Sequence, residues 1–176
     1  MGRPPILTRM LRPLLACTLL LAAAWLRAEP APVPPLEKEV AAIAAGPHVT
    51  IIHFWAPWCP NCRAEMTPDG WARFISANPD VKFVFLNIWH RDQDPAPKLA
   101  AGKLGGQPNL TLLTHPSAAS KAGPERMNTF LGLPVTWLPS TWVFRDGRMR
   151  YALNYGEVRF DMLQTLVNDA RDKWSH

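Results

Sequence analysis

The chain has 176 residues, with 19 basic and 14 acidic side chains and a formal charge of +5. That length gives room for one domain with a full core. Arg3, Arg9, Arg12 and Arg27 carry most of the excess; taking those four from 19 leaves 15 basic residues against 14 acidic ones, with no basic stripe of the kind that binds nucleic acid.

Residues 1–28 read as a secretory signal peptide. Arg3, Arg9 and Arg12 make a basic n-region, and Leu14 to Leu26 is an apolar run of h-region length, short for a membrane span. Cleavage is expected after Ala28, with Ala24 as the alternative and an uncleaved anchor as the third arrangement. Cys17 stands in LLAC, where a lipoprotein box would have it. The apolar tail that follows reads it instead as a small hydrophobe of the h-region. Cleavage leaves Cys59 and Cys62 as the only cysteines. Export would carry them to the periplasm, where disulfides persist.

Residues 29–47 follow as an N-terminal segment. EPAPVPP is a proline-rich tether, and Leu36 to Ala45 is a short helix ended by Gly46-Pro47. The main domain, residues 48–176, opens with Val49 to Trp55, apolar enough for a strand covered on both faces. The next helix starts at Cys59 or Pro60, where a proline suits the first turn. It breaks near Thr67-Pro68, with Thr67 capping a restart that turns Trp71, Phe74 and Ile75 inward. Val81 to Ile88 is a second central strand, parallel to the first through a right-handed crossover. A weak helix over Lys98 to Leu104, a strand over Asn109 to Thr114 and a helix over Pro124 to Leu131 fill the middle. Ser140 to Phe144 and Arg148 to Asn154 form a hairpin across Asp146-Gly147. Glu157 to Trp174 closes the chain as an amphipathic helix burying Val158, Met162, Leu163, Leu166 and Val167.

The chemistry lies between the first strand and its helix, in IIHFWAPWCPNCR, Ile51 to Arg63. The C-x-x-C spacing sets one thiol at the helix N-terminus and the other one turn in. A thiolate at Cys59 is favoured by the unpaired N–H groups and partial positive charge there, which should lower its pKa. Cys62 would act second, closing the disulfide. A lone C-x-x-C can also be half of a zinc site, which needs two further Cys or His ligands. As a structural staple the pair is weak, because so small a loop restrains the unfolded chain little.

FWAPWCPNCR resembles the FWAxWCxxCR string of the thioredoxin superfamily, and CRAEM after it is closer to the TlpA-like thiol–disulfide reductases of bacteria. The resemblance implies an α/β thioredoxin-like fold, a central mixed sheet flanked by helices with a TlpA-like strand–helix insertion. In that family the helix-breaking proline usually comes five residues after the second cysteine; here Pro68 comes six after Cys62. Leu138-Pro139-Ser140 with TWVFRDG resembles the superfamily segment around its cis proline. This implies that Pro139 is cis and faces the cysteines, and that the backbone of Leu138 pairs with an extended substrate. A trans proline opening an edge strand is the alternative. Trp58, Trp137 and Leu138, with Pro60 and Asn61, then make the substrate-docking surface.

His53 departs from the pattern. Thioredoxin keeps a buried acid at this position, faced by a lysine; here the pair is His53 and Phe85. The replacement suits a neutral imidazole without an ionic partner. His53 is a candidate proton acceptor for Cys62, and a satisfied core histidine is the alternative. Glu65 reads as a solvated helix residue, and His48, His90, His115 and His176 as surface or loop residues.

The resemblance implies a monomeric protein-disulfide reductase. Its redox group is the Cys59–Cys62 disulfide, with no bound cofactor or metal. Its substrates are oxidised proteins, and a DsbD-type membrane conduit supplies electrons. A thiol oxidase of the DsbA kind and a Cu(I) chaperone using the same cysteines remain open.

Overall fold

A strand with no exposed side chain organises the sheet. The computed structural model describes residues 33–116, 123, 126–154 and 156–172. The expected signal peptide, Cys17, most of the tether and His176 lie outside them. β1 (Thr50–Trp55) is buried along its whole length. It pairs in parallel with β2 (Lys82–Asn87), Ile51 opposite Phe83 and His53 opposite Phe85. β3 (Leu110–Thr114) adds in parallel to β2. On the other side β1 pairs antiparallel with β6 (Ser140–Arg145), which pairs antiparallel with β7 (Arg148–Leu153). The order β3-β2-β1-β6-β7 makes a mixed sheet with β1 at its centre.

Neighbouring residues of a strand point to opposite faces, and β1 uses this to seed two aromatic clusters. His53 packs against Trp71 and Phe85, with ring centroids 4.6 Å and 4.8 Å away. Phe54, on the other face, meets Trp142 at 4.6 Å and Phe130 at 5.5 Å. Trp55, Trp71 and Trp142 are each at most 1% exposed, so all three are core residues as expected.

Helices cover the sheet. α1 (Pro35–Ala44) leads in, and its last residue accepts a bond from Gly147 N–H in the β6–β7 turn at 2.9 Å. That turn has Asp146 and Gly147 both at positive φ, the type I′ geometry that matches strand twist. α2 (Pro60–Glu65) carries the cysteines, and α3 (Arg73–Ala77) continues it beyond a kink. Between them the chain kinks at Gly70, whose φ of −88° and ψ of −114° are not helical, and the Thr67 hydroxyl caps the restart by accepting from Gly70 N–H at 3.0 Å. Gly70 is required there: a Cβ at this position would lie 2.2 Å from the Glu65 carbonyl oxygen.

α4 (Ala96–Ala101) starts two residues before the expected helix and stops at Gly102. The helix expected over 124–131 is not formed by its described residues. β4 (Thr129–Phe130) and β5 (Leu133–Pro134) make a small hairpin instead. Leu131 and Gly132 both take positive φ, giving a two-residue turn, and Leu131 N–H donates to the Glu37 carboxylate at 2.8 Å. Residues 124 and 125 lie outside the described residues.

α5 (Phe160–Arg171) closes the fold with Leu163, Val167 and Ala170 buried, a spacing of one helical stripe. Met162 is 42% exposed, one position round the helix from that stripe. Leu166 is half-buried, and Val158 lies before the helix begins. The far end of α5 is tied down by Arg171, which bonds both carboxylate oxygens of Asp80, at 2.8 Å and 2.9 Å, and Asn78 Oδ1 at 2.8 Å. Asn78 in turn bonds Gln164 and the Phe74 carbonyl.

The Arg171 hydrogen bond holds the Asp80 carboxyl below its ordinary value of 3.8. A carboxylate whose pKa is lower in the folded state stabilises fully above its unfolded value and loses that share as pH falls through the folded one. The pair is partly exposed, so Arg171→Ala is expected to cost only about 1 kcal/mol at neutral pH. Urea melts should show the gap between parent and variant narrowing in acid below the ordinary carboxylate range, leaving the share of the Asn78 bond.

Candidate active site

β1 ends at Trp55, and the turn after it delivers Cys59 to the start of α2. Cys59 is the N-cap of that helix, and its Sγ accepts the Cys62 N–H at 3.3 Å. Pro60 occupies the next position, where its missing N–H costs nothing. The two sulfurs form a disulfide, with Cα atoms 5.3 Å apart. They are not equivalent. Cys59 lines a cavity of about 420 Å³, whereas Cys62 is fully buried and does not line it. A donor aimed at the outer sulfur favours negative charge on that sulfur.

The cavity brings the expected docking residues together. Trp58, Pro60 and Asn61 from the turn and α2 meet Trp137 and Leu138 from the segment before β6. Trp137 is 48% exposed, although large apolar side chains are mostly covered elsewhere in the fold. The Leu138–Pro139 peptide bond is cis. Pro139 itself is buried and is not among the residues that line the cavity. Ser140 fixes this corner, its hydroxyl donating to the Trp137 carbonyl at 2.9 Å.

Three lining residues are additions to the expected set: Trp89, Arg126 and Thr136. Trp89 follows the carboxyl end of β2, where open α/β sheets gather their sites; that position was the available signal. It sits at φ +48°, buried, with its Nε1 donating to the Met127 carbonyl at 2.7 Å. Its carbonyl accepts from Trp58 Nε1. Two guanidiniums lie on these indoles, Arg126 3.8 Å from the Trp89 ring and Arg91 4.1 Å from Trp58. Arg126 and Thr136 lie either side of the hairpin whose first strand was read as helix.

His53 is completely buried beneath α2, and it does have an ionisable neighbour. Its Nε2 lies 3.0 Å from Glu65 Oε1, and both side chains are shielded from solvent. The two atoms are out of line for a straight hydrogen bond, and neither has another partner. The ring's Nδ1 meets Thr141 Oγ1 at 2.9 Å, and the second Glu65 oxygen accepts Val158 N–H at 2.8 Å. Glu65 is therefore not a solvated helix residue: it is 4% exposed. It comes one turn after Cys62, so both side chains point from one face of α2 toward the core. Nor does His53 lack an acidic partner. The acid sits on the helix, three residues beyond the second cysteine. The i, i+3 relation to an inward-facing cysteine was the signal for it.

The other described histidines do not line the cavity. His48 is exposed, while His90 and His115 are half-buried. Burial holds the His115 imidazole below its ordinary value of 6.5. Among the described residues no group of three or more His, Cys, Asp or Glu side chains is arranged to hold a metal ion. No helix among them is long and apolar enough to cross a membrane.

The chain is similar to several known proteins. Sporulation thiol-disulfide oxidoreductase A of Bacillus subtilis (strain 168) is 34% identical over 61 residues, covering 34% of this chain and 36% of the relative. The match thus spans about a third of that protein's length. Among solved structures, a thiol:disulfide interchange protein of the thioredoxin family from Chlorobium tepidum TLS aligns over 75% of this chain and 84% of its own, at 20% identity and a TM-score of 0.52. A secreted Mycobacterium tuberculosis disulfide oxidoreductase homologous to E. coli DsbE aligns over 72% and 84%, at 25% identity and a TM-score of 0.48. The family model for the thioredoxin-like domain matches residues 36–171. The chain belongs to the thioredoxin-like family.

Proposed function

We propose that this protein is an exported thiol–disulfide oxidoreductase that reduces disulfides in envelope proteins. The observation that carries the reading is the inequality of the two sulfurs: Cys59 lines an indole-rimmed cavity and Cys62 lies behind it, fully buried. The Bacillus relative bears the name of a thiol-disulfide oxidoreductase, which supports the same chemistry. Export rests on the signal-peptide pattern of residues 1–28.

In the reduced protein the Cys59 thiolate attacks one sulfur of a substrate disulfide. That S–S bond breaks, a Cys59–substrate disulfide forms, and the leaving thiolate takes up a proton. The Cys62 thiol then gives its proton to the His53–Glu65 pair and attacks Cys59 Sγ. The Cys59–substrate bond breaks, the second substrate thiol is released, and the Cys59–Cys62 disulfide remains. Two electrons have passed to the substrate. The disulfide is the whole redox group, with no further cofactor. A membrane thiol conduit of the DsbD kind returns the protein to its dithiol form. Pro139 and Leu138 shape the wall against which the substrate segment lies, and Trp58, Trp137, Pro60 and Asn61 supply its contact surface. The protein works as a monomer.

Turbidimetric insulin reduction tests the reading. Cys59→Ser should abolish it. Cys62→Ser should still attack once and accumulate a mixed disulfide visible on a non-reducing gel. Stoichiometric Cu(I) on the reduced protein without insulin reduction would move the assignment to a copper carrier. His53→Ala and Glu65→Gln should each slow resolution of the mixed disulfide by about a hundredfold. Rates equal to the parent at every pH would return the pair to a structural role. Glu65→Ala should also destabilise by about 1–3 kcal/mol, because it orphans the Val158 N–H, while Glu65→Gln keeps an acceptor there. Urea denaturation separates the two.

A further inference from the structure

The cavity beside Cys59 does not end at the indoles. A second cavity of about 370 Å³ adjoins it and shares two lining residues, Arg126 and Thr136. Together they form a trough that starts at the sulfur and runs past the Thr136–Leu138 wall, a segment outside both β5 and β6. Among the described residues no aspartate or glutamate lines either cavity, and the charged side chain common to both is Arg126.

Arg126 is held ready for an anion. Its guanidinium lies on the ring of Trp89, a buried indole anchored by its own bond to the Met127 carbonyl. A stacked guanidinium keeps its plane and leaves its edge for a carboxylate fork. Arg126 is half-buried, and among the described residues no carboxylate pairs with this side chain. An unpaired, partly desolvated cation is costly, and a ligand carboxylate removes that cost.

Building on the disulfide-exchange reading, we infer that this trough docks an extended, cysteine-bearing protein segment that has an acidic side chain close to its cysteine, and that Arg126 reads that side chain. The trough continues away from the sulfur for the length of two cavities. A site extended by a second cavity favours a polypeptide over a low-molecular-weight disulfide. The indoles of Trp58 and Trp137 take the apolar flank of the segment, and Arg126 takes its carboxylate. Selection is for Asp or Glu over amide and basic residues at one or two positions near the cysteine.

The test uses the full reduced protein and disulfide-linked dimers of a nine-residue peptide with a central cysteine. Glutamate is walked through the three positions on either side, with glutamine at the same position as control. Each turnover consumes the protein dithiol, leaves the Cys59–Cys62 disulfide and releases two peptide thiols, which are titrated. At the reading position the glutamate peptide should react about tenfold faster than its glutamine control. Arg126→Gln should bring that ratio within twofold of one, Arg126→Lys should keep part of it, and added salt should shrink it. A ratio cancels any general loss in a variant. A ratio within twofold at every position in the parent, or one that survives Arg126→Gln, overturns the inference. Faster consumption of oxidised glutathione than of the best peptide makes the occupant a small acidic disulfide and overturns the polypeptide assignment. If the glutamine peptides are not reduced at all, the disulfide-exchange reading fails first and takes this one with it.

Discussion

β1 is sealed from solvent on both faces, and that constraint governs the rest of the molecule. A strand so placed can carry polar side chains only where partners are built for them. Thr50 finds a backbone carbonyl in α1. His53 finds Thr141 on the neighbouring strand and Glu65 on the helix above. The strand therefore does two things with the same residues. It nucleates an aromatic core on each face, and it holds an ionisable pair beneath the helix that carries Cys62. Rigidity at the C-terminal end of β1 is also what fixes Cys59 at the mouth of its cavity.

Much of this is legible in the residues. The apolar run Ile51 to Trp55, the proline after Cys59 and the Asp146-Gly147 turn each have one physical meaning, and the fold uses all three as read. The lining of the cavity is similarly direct: Trp58 and Leu138 are far apart in the chain yet line the same one. What escaped the reading has identifiable causes. Glu65 is charged and short of any obvious partner in sequence, so exposure is its ordinary state; only the inward face of α2 and the histidine below reverse that. Leu131-Gly132 lacks the Asn-Gly or Asp-Gly signature of a two-residue turn, and the apolar residues around it fit a helix as well as a hairpin. Arg126 could not be foreseen in the site because its place depends on that hairpin.

On the proposed mechanism, the exchange of thioredoxin's buried acid for a histidine is not a loss of proton-handling capacity. Acid and base are divided between strand and helix, with the carboxylate held by a backbone N–H from the segment leading into α5. Proton traffic at Cys62 is then linked to the packing of the last helix, an element distant in sequence.

The kink after α2 gives this linkage one more member. At Gly70 the absence of a side chain lets the chain double back against the carbonyl of Glu65. That backbone contact sets where α2 ends, and hence where the carboxylate meets the imidazole. This glycine thereby sits against the backbone of the residue whose carboxylate meets the imidazole. Any side chain at this position would have to push the Glu65 carbonyl aside, so the geometry that sets the carboxylate beside the imidazole admits glycine alone.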